Sequence, residues 1–144
     1  MATRSRIGLR LADDSILSVY HHYDGYPQWL GVTLNKKFNT FDKVAELLDG
    51  GDISCCDSDS DWDRNKVEDH VLYYNARGEK TEPRLDTNEW EYFNNNEEYA
   101  YIFENDGWTC YEVNGYADVG ISVNLKPIPD EYPVESYIDG VALG

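Results

Sequence analysis

A chain of 144 residues that is 41% hydrophobic and 14% aromatic can bury one domain core and is too apolar for a disordered chain. Its formal net charge of −16 disfavours direct nucleic-acid binding, which needs a cationic footprint. No apolar run reaches bilayer length, and no apolar segment follows Met-Ala-Thr-Arg-Ser-Arg to act as a signal peptide.

The first element reads as a β-hairpin. Ser5, Ile7, Leu9 and Leu11 alternate with Arg4, Arg6, Gly8 and Arg10, giving one apolar and one basic face. Asp13-Asp14 makes the turn, and the return strand covers Ser15 to Tyr23. Leu17, Val19, His21 and Tyr23 share one face, while Ile16, Ser18, Tyr20, His22 and Asp24 follow on the other. Pro27 fits the first position of a helix reaching about Phe38, with Leu30, Leu34 and Phe38 stacked at four-residue spacing.

A second helix follows Asn39-Thr40, with Phe41, Val44, Ala45 and Leu48 as its buried face and Gly50-Gly51 as its end. Residues 52–70 read as an exposed acidic loop, Val71-Leu-Tyr-Tyr74 as a short strand, and the Pro83 region as a loop. A short helix near Asp86-Thr87-Asn88 turns Trp90 and Phe93 inward. Tyr99–Phe103 and Trp108–Val113 flank Glu104-Asn-Asp-Gly107 as a hairpin. Asn114-Gly115 offers a turn into Val119, Ile121, Val123 and Leu125, and about 126–144 reads as an extended, proline-rich tail. The expected fold is a single α+β domain, 1–144, an antiparallel sheet with two to three helices packed mainly on one face.

Charge is unevenly spread. Residues 1–40 carry a net of +2, whereas residues 41–144 carry −18. Between Leu85 and Leu125 there is no Lys or Arg, yet nine acids accumulate. Self-repulsion on that scale destabilises a compact state. Solubility explains it, and so does recognition of a basic partner surface. Glu97, Glu98, Glu104, Asp106 and Glu112 are the candidate acidic contact residues, interleaved with aromatics from Trp90 to Tyr116.

A second candidate site is the corner Ser18-Val-Tyr-His-His-Tyr-Asp-Gly-Tyr-Pro-Gln-Trp-Leu-Gly31. Tyr20, His22, Asp24, Tyr26 and Trp29, with Arg6 beside them, have the chemistry to stack a nucleotide and pair its phosphates. The plainer reading is a packed aromatic corner. Catalysis ranks below both: His22 and Asp24 share a face as an acid/base or metal pair would, but no third group joins them. Asp57, Asp59, Asp61, Asp63 and Glu68 match the spacing of a calcium loop, but Trp62 stands where the sharp turn requires Gly. No metal, cofactor or catalytic residue is therefore assigned. Three cysteines, two of them adjacent, read as free thiols in a reducing compartment, and Cys110 inside a strand reads as core.

Several stretches carry a likeness. They are Thr3-Arg-Ser-Arg-Ile-Gly8, Ser15-Ile-Leu-Ser-Val-Tyr20, the His22-x-Asp-Gly-Tyr-Pro27 corner, Trp29-Leu-Gly31 and Lys43-Val-Ala-Glu-Leu-Leu48, with a weaker echo through Glu98-Tyr-Ala-Tyr101. In these the chain resembles a family of small, largely uncharacterised bacteriophage proteins. The resemblance implies a small soluble phage protein acting in the host bacterial cytoplasm, on host physiology or defence. Joined to the charge, it leads to an accessory protein that binds and inhibits a host protein with a basic surface, by imitation of nucleic-acid phosphates among other routes. A nucleotide-sequestering module is the first alternative and a metal- or His-dependent hydrolase the second. Neither direct nucleic-acid binding nor membrane association is expected.

Overall fold

The computed structural model describes residues 3–22, 25–56, 71–74, 78, 80–94, 97–116 and 120–131. Among them, eight strands form one sheet: β1 (Ser5–Arg10), β2 (Ile16–His21), β3 (Ile53–Cys56), β4 (Val71–Tyr73), β5 (Arg84–Asp86), β6 (Tyr99–Glu104), β7 (Gly107–Tyr116) and β8 (Gly120–Lys126). The order is β4-β3-β2-β1-β6-β7-β8, and β5 shares with β3 the edge of β2 that β1 does not use. The α+β class is as expected, but the sheet is mixed. β1 runs parallel to β6, and β2 parallel to β3. Parallel neighbours need a crossover, which the helical segments between β2 and β3 supply.

The first hairpin follows its alternation. Ile7 pairs with Val19 and Leu9 with Leu17, and all four side chains turn to one face. Asp14 closes the turn in a left-handed conformation, φ 70°, with its N–H donating to Leu11 O at 3.0 Å. The Asp13 carboxylate accepts from Ser15 N–H at 3.1 Å. The β6–β7 turn uses Asn105 and Asp106, φ 53° and 62°, as its two central residues. That geometry twists with the strands and suits Asn and Asp. Gly107 already pairs with Glu104 as strand.

On the first face, Pro27–Gly31 winds as a π turn and passes into α1 (Val32–Lys37), followed by α2 (Phe41–Asp49). Thr40 caps α2, its Oγ1 accepting from Lys43 N–H at 3.2 Å, and Gly51 leaves it at φ 87°. Leu30, Leu34, Val44, Leu47 and Leu48 pack on Ile7, Leu9, Val19, Ile53, Tyr101 and Phe103. The second face carries α3 (Glu89–Phe93), capped by Asn88 Oδ1 accepting from Glu91 N–H at 3.0 Å. It lays Tyr92 and Phe93 on Ile16, Ala100 and Ile102. Strand β6 is thus buried on both sides.

Several expected boundaries move. Strand β3 lies inside the stretch read as loop from Asp52, because Ile53 fills the core and its C=O accepts from His22 N–H at 3.0 Å. Strand β5 forms in the Pro83 region, where Arg84–Asp86 pairs with Ser18–Ile16. Strand β7 runs through Asn114-Gly115, which pair with Ser122 and Ile121 instead of turning. Residues 127–131 are not a free tail. Ile128 packs against the first core, and Lys36 Nζ lies 2.9 Å from the Glu131 carboxylate. Phe41 and Trp90, expected inward, are exposed to 51% and 60%. The calcium-like segment from Asp57 to Glu68, with the rest of the loop to His70, and the tail from Tyr132 lie outside the described residues.

Tyr92 tests how α3 is held. Its buried hydroxyl donates to Tyr101 O at 2.6 Å and lies 3.2 Å from Arg6 O. Tyr92→Phe removes the donor while keeping the ring, and the expected cost in urea denaturation is about 1–2 kcal/mol. An unchanged stability would mean that packing alone seats α3.

Candidate functional site

The aromatic corner is a structural joint. Gly25 N–H donates to Thr3 O at 2.9 Å, and Gly25 O accepts from the Tyr101 hydroxyl at 2.7 Å. Tyr26 O accepts from the N–H groups of Trp29 and Leu30, both at 3.1 Å, which starts the helical layer. The chain therefore carries Tyr26 and Trp29 into the layer over the first face. Arg6, Tyr20 and His22 lie on the second face, where the Tyr20 hydroxyl and His22 Nδ1 are 2.6 Å apart. Asp24 lies outside the described residues. The five described candidates, Arg6, Tyr20, His22, Tyr26 and Trp29, thus divide between the two faces of the sheet.

Arg6 is committed internally. Its Nε donates to Ser18 Oγ at 2.9 Å, its Nη2 to Ser18 O at 3.3 Å, and its Nη1 lies 3.9 Å from Glu97. Burial, and then the neighbouring Arg84 guanidinium, pushes its pKa down. Burial likewise lifts the Glu97 carboxyl above its ordinary value, against the pull of Arg6.

The five candidate acidic residues are dispersed. Glu97 is inside the Arg6 network. Glu104 follows Ile102 on the second face and accepts from Arg10 Nε at 2.9 Å. Glu112 follows Cys110 on the first face and sits 3.6 Å from Lys126 Nζ. Glu98 and Asp106 are exposed. These carboxylates do not make one continuous surface.

A different site does assemble at the end of the sheet where β1, β5 and β6 finish. An open groove of about 1020 Å³ runs there, lined among others by Arg10, Asp14, Phe41, Glu89, Trp90 and Glu104. Arg10 organises it: its guanidinium also donates to Glu89 and, through Nη1, to Asp14 O at 3.2 Å. Burial disfavours the charge on Arg10, but the bonds to Glu104 and Glu89 outweigh it and its pKa is raised. One cation against Asp14, Glu89 and Glu104 leaves the lining at −2. The two exposed aromatics therefore flank an acidic floor.

The sequence pattern hid this site because both aromatics begin helices. With 3.6 residues per turn, Tyr92 and Phe93 take the inward arc of α3, and Trp90 falls outside it. In α2 the inward arc is Val44, Leu47 and Leu48, and Phe41 at the first helical position overhangs the sheet end. The readable signals were the caps Thr40 and Asn88, which fix each helix's phase.

Other chemistry is muted. Cys110 is a buried free thiol whose pKa burial pushes up to about 12, so it is a poor nucleophile. Among the described residues no three His, Cys, Asp or Glu side chains gather to hold a metal ion, and no helix is long and apolar enough to cross a membrane. Comparison with known proteins gives no match to a family, to a curated protein or to a solved structure.

Two measurements probe the corner. A Cβ on Gly25 would lie 2.5 Å from Ser5 Oγ and 2.7 Å from Thr3 O, whereas one on Gly107 meets nothing within 4 Å. Gly25→Ala is expected to cost about 1–3 kcal/mol and Gly107→Ala almost nothing; equal effects would show that the joint yields freely.

His21 is fully buried on the first face, its Nε2 without a hydrogen-bond partner among the described residues, and burial followed by the nearby His22 lowers its pKa from 6.5 to about 3. Between those values the unfolded chain binds a proton that the native protein does not. Its contribution is complete above about pH 6.5 and is lost as pH falls towards 3, with a slope of up to about 1.4 kcal/mol per pH unit. Protonating carboxylates relieves self-repulsion with the opposite sign, so His21→Gln is the reference. Parallel stability-versus-pH curves for the two proteins would refute the assignment.

Proposed function

We propose that this chain is a bacteriophage accessory protein of the host cytoplasm that binds a host protein with a basic surface and inhibits it by occupying that surface. The groove at the sheet end is the docking site. The observation that carries this reading is the pair of half-exposed aromatics, Phe41 and Trp90, set around a lining of net charge −2. Buried aromatics anchor protein interfaces, and an acidic rim steers a basic partner to them. The dispersal of Glu97, Glu98, Glu104, Asp106 and Glu112 favours this local docking over imitation of an extended phosphate backbone. The nucleotide alternative has less support, since Arg6 is engaged by Ser18 and Glu97 and the corner residues divide between the two faces.

The test is an affinity pull-down from host cells with photo-crosslinkers placed at Phe41 and Trp90, at about 0.05 M and about 0.5 M salt. One dominant partner, basic at the crosslinked segment and strongly reduced at high salt, is the expected outcome. A partner crosslinked elsewhere, or retained equally at both salt concentrations, would overturn the docking site.

A further inference from the structure

We infer that the groove recognises arginine: its occupant is a guanidinium carried on an extended basic segment of the partner, laid against Trp90 and held by Glu89 and Glu104. This rests on the docking role proposed for the same groove and names the chemistry that decides its specificity.

The lining already shows what it does with a guanidinium. Arg10 bonds one oxygen of each carboxylate, Oε1 of Glu89 and Oε2 of Glu104. The second oxygen of each takes no hydrogen bond among the described residues. Arg10 also reaches the Asp14 carbonyl, so its donors tie together the β1–β2 turn, the end of β6 and the start of α3. It is a positioning residue. It fixes two carboxylates as half-used acceptors and leaves the lining two charges short of neutrality.

The aromatics select the shape of the incoming cation. Trp90 offers the larger exposed ring, and an indole face attracts a cation through its quadrupole. A planar guanidinium stacks on such a face while its edge donates to carboxylates. A lysine ammonium is a compact, strongly hydrated point charge and does only the second. A neutral side chain would leave the lining's net charge of −2 in place, and an acidic one would be repelled. Arginine is therefore the occupant that satisfies ring and acids together.

The experiment titrates the full chain by calorimetry with three blocked peptides, Gly-Arg-Gly-Arg-Gly, its lysine analogue and its citrulline analogue. Citrulline keeps the planar shape without the charge. The expected order is arginine tighter than lysine by roughly three- to tenfold, with citrulline too weak to measure. Trp90→Ala should weaken the arginine peptide by about tenfold, and Glu89→Gln by less. Both positions are exposed, so melting curves should show each variant folded like the parent. Equal affinity for arginine and citrulline, or arginine binding indifferent to Trp90→Ala, overturns the inference. A salt-sensitive host partner captured equally by Trp90→Ala also overturns it and leaves host binding standing. Trp90-dependent arginine binding without any host partner supports it while overturning the accessory role.

Discussion

The phenol of Tyr92 stands over Gly8 on β1, and much of the second face depends on that seat. A Cβ at Gly8 would lie 2.9 Å from the hydroxyl, so the missing side chain is what admits it. The hydroxyl then reaches carbonyls on two adjacent strands, Arg6 of β1 and Tyr101 of β6. A five-residue helix has little stability of its own. Docked through Tyr92 and Phe93, it fixes Glu89 against Arg10 and leaves Trp90 at the rim of the groove. The site at the sheet end is therefore held in place from the middle of the sheet.

The charge asymmetry of the chain has a structural use as well. Cations of the first hairpin meet carboxylates from the acidic half: Arg6 with Glu97, and Arg10 with Glu89 and Glu104. Parallel pairing of β1 with β6 brings Glu97 and Glu104 to them, and α3 brings Glu89. Arg10 meets Glu89 at the surface, where a pair contributes on the order of 1 kcal/mol or less, while the desolvation of the buried Arg6–Glu97 pair offsets much of its attraction. The value of the Arg10 pairs lies in placement, because they pin α3 and the end of β6 to the hairpin. At the groove Arg10 takes one oxygen from each of Glu89 and Glu104, and the second oxygens are what can meet something else.

Local chemistry made most of this fold readable. The alternation of Ile7, Leu9, Leu17 and Val19 set the hairpin and its faces, and Thr40 with Gly51 bounded α2. What escaped was decided by distant partners. Arg84–Asp86 is too short to announce itself and becomes a strand because the edge of β2 is open to it. Ile53 looked like the start of a polar loop until the core supplied a place for its side chain. The candidate acids were legible as a bias in composition, but their pairing depends on which strand lies beside which. Phe41 and Trp90 were misread because apolar character predicts burial only on average.

The adjacency of β1 and β6 has a consequence during synthesis. Ser5 and Tyr99 are paired across 94 positions, as are the residues of the Arg10–Glu104 ion pair. Closing so long a loop costs chain entropy before any contact is gained, and high contact order slows folding. The N-terminal hairpin, complete at His21, leaves the ribosome with Ile7 and Leu9 lacking their final neighbours, and it waits for about eighty residues of translation before β6 follows. During that interval its outer edge is open to pairing with other nascent chains. Arg4, Arg6 and Arg10 place like charges along that edge, and like charge opposes such pairing, so Arg6 and Arg10, which later organise the second face, also weigh against edge-to-edge association before it forms.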